Sequence, residues 1–520
     1  MFLLAVSCIF KSYSQSGFSG DLMVNSNYYQ RDSAIGATNT PLYDNLLFGG
    51  EGWLSLNYSN WGYDFGVRFD LFNNSALHDP QKAYSEQGIG ACYVRKKIDE
   101  LTITGGYFYD QFGNGITFRA YEDRALGIDY AMFGLKAEYQ ITKQWKIKGF
   151  TGRQKNLFSS FKPIVKGLNT DAVLKVNDDL QLIPGLSFVN RTLDQESMDL
   201  VVSAMPVVNP VVEERFVPKY NVYVYSFYNT LTYKKITWNI EYAGKSKDVY
   251  YDLKGKLSDK EGSVLYSNLG YATKGLGITV QFKRTENFSL RTSPNEILLK
   301  GVLDFLPPLS KQNSMRLLSR YVAATQVFSE MAYEADVFYT PVKGITLTAN
   351  YSDIRDLNDV QLFREIYFDV EYKKKKKWRT VTGIQVLSYN QEVYQKKPAV
   401  PMVEAISPFA EWTLKLSTKK SIDVQLQYQF NGHDYGDWFY GQFEFNVAPH
   451  FSFALADMYN IVPKKTDDIH YYSIFTSYTK NANRFTVSYV KQVEGIVCTG
   501  GVCRYEPAFS GVKFTLTSSF

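Results

Sequence analysis

The sequence predicts an all-β chain, a transmembrane antiparallel up-and-down β-barrel of about 24 strands with 22 to 26 as the range. Three observations carry this expectation. Apolar residues recur at alternate positions, and connections alternate between short and long. Aromatic residues also make up 16% of the chain although the mean hydropathy is only −0.25. After the first ten residues no stretch approaches the roughly 18 consecutive apolar residues of a spanning helix. A barrel strand has lipid on one face and water on the other, so it averages out as mildly polar.

The amino end differs from the rest. Residues 1–14 read as an export signal: an apolar run from Phe2 to Phe10, then Ser12-Tyr13-Ser14 as a small-x-small cleavage site. The basic start of such a signal is missing, so the true start is expected upstream. Ala5-Val6-Ser7-Cys8 has the look of a lipoprotein box, but too few apolar residues precede Cys8. Residues 15–520 hold no internal repeat or low-complexity linker and are expected to form a single domain.

Several strands show the alternation plainly. Leu101, Ile103, Tyr107 and Tyr109 oppose Thr102, Thr104 and Asp110. Ile236, Trp238, Ile240 and Tyr242 oppose Thr237, Asn239 and Glu241, and Trp412, Leu414 and Leu416 oppose Glu411, Thr413 and Lys415. Val424, Leu426, Tyr428 and Phe430 oppose Asp423, Gln425, Gln427 and Gln429, a set that points to a hydrated interior. In the last strand Val512, Phe514, Leu516, Ser518 and Phe520 share a face. Phe514, Leu516 and Phe520 thus form an amphipathic ending of the kind by which the barrel-assembly machinery recognises its clients.

Short connections are expected at Ser59-Asn60, Lys97 to Asp99, Thr142-Lys143, Asn177 to Asp179, Lys234-Lys235, Thr273-Lys274, Pro341 to Gly344, Lys373 to Lys377, Thr418 to Lys420, Ala448-Pro449 and Lys480 to Asn483. Longer ones are expected at 191–217, 244–260 and 289–330, the last with room for an extra hairpin. Short periplasmic turns and long extracellular loops are the pattern of bacterial outer-membrane barrels. The Lys373–Lys377 run is read as a solvated turn or as a contact for anionic headgroups.

A net charge of +5 without a basic helix or stacking platform excludes nucleic acid as a partner. Cys498 and Cys503, in Cys-Thr-Gly-Gly-Val-Cys, are spaced for a small disulfide ring in an oxidising compartment, and Cys92 is expected as an unpaired wall residue. No metal or cofactor site is expected, because the cysteine pair has no histidine near it in sequence. His78, His433, His450 and His470 all fall in or beside connections. His433-Asp434 lacks the nucleophile and oxyanion donor of a hydrolase, so no enzyme is expected.

One constellation breaks the alternation. Between Gly105 and Gly127 stand Asp110, Gln111, Arg119, Tyr121, Glu122, Asp123 and Arg124, with Gly113 and Gly115 to let the backbone turn inward. Charges of both signs at a constriction set ion selectivity. The same charges can equally form a paired network that bolts an outer loop to the wall.

The stretches Asp110-Gln111-Phe112-Gly113, Arg119 to Gly127, Leu306-Pro307-Pro308-Leu309, Ala323 to Gln326 and Gly501 to Phe520 resemble an uncharacterised family of outer-membrane barrels from Bacteroidota. The resemblance implies a porin-like barrel in the bacterial outer membrane and carries no assigned activity. The expected function is a channel for small hydrophilic solutes, its lumen narrowed by inward-folded loops. A barrel wider than the 16–18 strands of porins must be blocked somehow. The alternative is a non-conducting accessory barrel of a secretion, assembly or surface-lipoprotein complex, partnered by outer-membrane lipid and by other envelope proteins or lipoproteins. Motor-coupled import would call for a globular plug before the first strand, yet strand pattern begins near Gly17.

Overall fold

A computed structural model describes residues 17–520, save 80, 253, 328, 464–468 and 500–501. The expected signal segment 1–14 lies outside the described residues. Period-two alternation puts one row of side chains on each face of a strand, and 24 such strands join edge to edge into a closed antiparallel barrel. Closure is made by the first strand, Phe18–Tyr29, against the last, Phe509–Ser519, with Asp21 opposite Ser519 and Tyr29 opposite Gly511. Gly20 and Phe520 exchange backbone hydrogen bonds at 2.8 and 3.0 Å at the end of this seam.

All eleven expected short connections are found at one end of the barrel. The opposite end is less uniform than the sequence suggests. The connections 193–220 and 287–328 are long, but 252–256 and 432–435 are tight. The expected loop 244–260 is mostly strand: Ile236–Tyr251 and Leu257–Thr273 run past it, with a register shift between Lys245 and Asp248 where a bulge absorbs the irregular spacing. The segment 289–330 carries no extra hairpin strand among the described residues; a single bridge joins Arg291 to Val302.

The outer face is an apolar belt. Trp238, Tyr242, Leu186, Phe188, Trp412 and Leu414 are each 40–46% exposed, while their inward neighbours Glu241, Ser187 and Gln427 are at most 5% exposed. Burial of the inward row follows from what lies inside. The segments 109–131 and 287–328 fold into the lumen and bury Phe112, Ile116, Phe118, Phe288, Leu290 and Leu303 against inward wall residues such as Phe150, Val165 and Val189. A helix, Gln195–Val208, packs Val201 and Met205 on Val249 and Leu257 at the same end, its start capped by Asp194.

A charge on the apolar belt should cost according to its depth. Leu186→Arg, six residues from the nearer end of its strand, is expected to lower stability by about 2–4 kcal/mol, and Leu416→Arg beside a turn by about 0–1 kcal/mol. Urea unfolding in lipid vesicles measures the difference.

Candidate functional site

The chain leaves the wall after the strand Leu101–Phe108, turns into the barrel and returns as the strand Met132–Gln140. The inward turn needs Gly113, at φ +50°, where a Cβ would lie 2.8 Å from the Glu241 carboxylate and 2.9 Å from the Tyr228 ring. Glu241 Oε2 instead accepts the Asn114 backbone N–H and the Asn114 amide, both at 2.8 Å.

The predicted residues of this segment separate into distinct roles. Asp110 receives Lys148 Nζ at 2.5 Å and Lys136 Nζ at 3.2 Å, both from wall strands, and the Gln111 carbonyl accepts Lys148 at 2.8 Å. Glu122 pairs with Arg68 of the wall at 2.8 Å and with Arg124 at 3.0 Å, and Arg124 also reaches Asp21 at 3.5 Å. Asp123 accepts the Leu126 N–H at 3.1 Å and so stabilises a turn. Tyr121 meets Tyr130 edge-on. Arg119 makes no ion pair among the described residues. Its guanidinium lies 4.0 Å from the Phe305 ring centre and 4.4 Å from that of Tyr121, and its N–H donates to the Leu303 carbonyl at 2.8 Å, tying one inward segment to the other.

Sequence reading did not find the wall half of this network. Arg68 forks onto Asp70 at 2.6 and 2.8 Å and onto Asp129 at 2.6 Å, and Lys155 joins Asp129 at 2.5 Å. Their signal was present only as charged residues at inward positions of strands, which a wet lumen explains equally well.

The segment 287–328 crosses to the other side of the lumen. Near its start Lys245 donates to the Ser289 carbonyl at 2.7 Å, and Lys283 donates to the Pro307 carbonyl and, near its end, to Thr325 Oγ1 at 3.4 Å. Its middle, 310–322, makes no ion pair among the described residues and is held by hydrogen bonds, two of them to carboxylates: Asn313 Nδ2 to Glu365 Oε1 at 3.0 Å and the Tyr321 hydroxyl to Asp434 Oδ2 at 3.2 Å. The Leu317 N–H donates to Gln427 Oε1 at 2.7 Å, Gln429 Nε2 to the Leu317 carbonyl at 3.0 Å, Gln385 Nε2 to the Leu318 carbonyl at 3.2 Å, and Asn431 Nδ2 to the Tyr321 hydroxyl at 2.7 Å. A cavity of about 130 Å³ lies against this stretch.

At the loop end, His78 packs on Phe72 and Tyr84. Burial, then the charges of Lys155, Lys300 and Arg504, push its imidazole down to about 4. The hairpin Gly495–Thr499 and Val502–Glu506 sets Cys498 opposite Cys503 in its register, while the side chains of the expected disulfide lie outside the described residues. Cys92 is a free, exposed wall residue. Among the described residues no cluster of ligating side chains suits a metal ion.

Comparison with solved structures returns large barrels. The siderophore receptor PirA from Pseudomonas aeruginosa aligns at 9% identity and a TM-score of 0.40 over 97% of this chain and 80% of that one. The outer membrane transporter YddB from Escherichia coli aligns at 7% and 0.42 over 96% and 81%, and OccAB3 from Acinetobacter baumannii at 9% and 0.37 over 97% and 99%. No curated protein matches the chain. A family profile described as "Family of unknown function (DUF6029)" matches residues 1–520.

Three outcomes follow from the charges. Arg68→Met leaves Asp70, Asp129 and Glu122 short of a cation and is expected to cost about 3–5 kcal/mol in urea unfolding. Lys256→Ala, which removes a half-exposed pair with Glu214, should leave the midpoint unchanged. His78 should remain neutral at pH 5.5 by nitrogen-15 NMR. Because its folded pKa lies below the unfolded value near 6.5, its contribution to stability is full above pH 6.5 and is lost as pH falls towards about 4.

Proposed function

The chain belongs to that family of unknown function, DUF6029, and we propose that it is a bacterial outer-membrane channel for small hydrophilic solutes, its lumen narrowed by two inward-folded segments. The observation that carries this reading is the unequal attachment of the two segments. The 109–131 side is buried, aromatic and ion-paired to the wall, whereas 310–322 is held by hydrogen bonds beside a cavity, with no ion pair among the described residues.

Magnitudes decide which side yields. Removing one partner of a buried ion pair costs about 3–5 kcal/mol. A neutral hydrogen bond contributes about 0.5–1.5 kcal/mol net, because water replaces it when it breaks. Segment 310–322 is therefore the element that moves first. Solutes pass along the strands Gln361–Lys374, Trp378–Tyr389 and Lys420–Asn431 that bear Glu365, Gln385, Gln427 and Gln429. The aromatic outer face meets membrane lipid, and no catalytic step is part of the reading.

Planar-bilayer recording of the purified full chain tests it. The native protein should give brief ohmic steps. The Gln427→Ala/Gln429→Ala double variant, which frees Leu317, should raise open occupancy about tenfold, the effect of about 1.4 kcal/mol from two lost hydrogen bonds. Silence from both proteins, with other envelope proteins co-purifying in mild detergent, would overturn the channel and assign the accessory role.

A further inference from the structure

The cavity beside 310–322 is larger than the packing there requires. At about 130 Å³ it approaches the roughly 150 Å³ that accepts a benzene-sized molecule. Three wall residues line it, Phe363, Glu365 and Gln385; the two polar ones are each 1% exposed and stand on adjacent strands. Glu365 Oε1 accepts Gln385 Nε2 at 2.6 Å and Asn313 Nδ2 at 3.0 Å. The second oxygen of Glu365, Oε1 of Gln385 and the hydroxyl of Ser310, also in the lining, are buried without a hydrogen-bond partner among the described residues. Unpartnered buried polar atoms are uncommon in native proteins, and three around one cavity ask for donors from a guest.

The remaining lining has the opposite character. Lys311 and Arg316 line the same space; among the described residues neither makes a direct ion pair, although the Lys311 charge acts on Glu365 and the Glu506 carboxylate acts on Arg316 from further off. The Lys311 ammonium sits 4.4 Å from the centre of the Tyr367 ring. A guest that is only anionic would satisfy these cations and meet the Glu365 carboxylate with like charge. A guest that is only cationic would meet Lys311 and Arg316. A neutral polyol would leave Lys311 and Arg316 without a carboxylate in direct contact. A solute carrying both charges a few bonds apart satisfies every group.

We propose that this cavity binds a small zwitterion of amino-acid size. Its ammonium donates to Glu365 and Gln385, and its carboxylate lies between Arg316 and Lys311. The inference rests on the channel reading for its role, since it names the solute class that the 310–322 route selects.

Calorimetric titration of the full chain in detergent tests it, with L-alanine as the probe and propionate and ethylamine as the same skeleton lacking one charge. L-alanine should bind saturably and at least tenfold more tightly than either analogue. Arg316→Gln, in a loop away from the wall strands, should weaken L-alanine at least tenfold while β-sheet circular dichroism is unchanged. Absence of saturable binding, equal affinity for the three probes, or indifference to Arg316→Gln would overturn the site. Because the titration needs no conductance, the two readings fail separately: L-alanine binding to a silent barrel ends the channel and keeps the site, and conductance without binding does the reverse.

Discussion

The architecture of this molecule depends on pairing the backbone donors and acceptors along both edges of its strands. A β-strand meets that requirement only when both edges are occupied, so the sheet must close, and closure here depends on the first and last strands pairing along Asp21–Tyr29 and Gly511–Ser519. With 24 strands the resulting tube is wider than its own wall side chains can fill. The chain fills it with two of its own connections. Phe112, Phe118, Phe288 and Leu303 form a hydrophobic core inside the barrel, where a smaller barrel would need none.

Filling the lumen changes what the inward row of each strand does. An inward Arg68 or Lys155 in water would be a solvated charge of little energetic weight. Covered by the 109–131 segment, each becomes a buried cation that must be matched, and Asp70, Glu122 and Asp129 match them. The same covering turns Gln427 and Gln429 from wetted lining into clamps on the Leu317 peptide. The two sides differ in kind. Ion pairs fix one segment, while the other is held by hydrogen bonds, each of smaller net weight. A cavity lined by buried acceptors and by Lys311 and Arg316 sits beside the hydrogen-bonded segment.

Much of the site's composition was legible in the sequence, and its wiring was not. Density of charge, aromatics and glycine around Asp110–Arg124 marked the inward segment, because a wall strand cannot tolerate that mixture on its lipid face. Which charges pair was hidden. Arg119 stacks on Phe305, nearly two hundred positions away, and Asp123 closes a turn, while Glu122 finds Arg68 from another strand. Local spacing holds no information about partners brought together by closure. The stretch 244–260 misled for a related reason: glycine and lysine read as loop, but a bulge lets the paired strands continue to Tyr251 and from Leu257.

The sequence by itself determined the two-faced strands, their number to within about two, and the eleven turns, since alternation and turn chemistry are local properties that need no knowledge of neighbours. It also marked Gly113 and Gly115 as the place where the chain bends inward. Only the tertiary structure decided that the lumen is occupied, that 287–328 crosses it, and that Lys311, Arg316, Glu365 and Gln385 surround one cavity. The physical reason is closure: a residue's neighbours across a barrel are set by the circumference of the whole sheet.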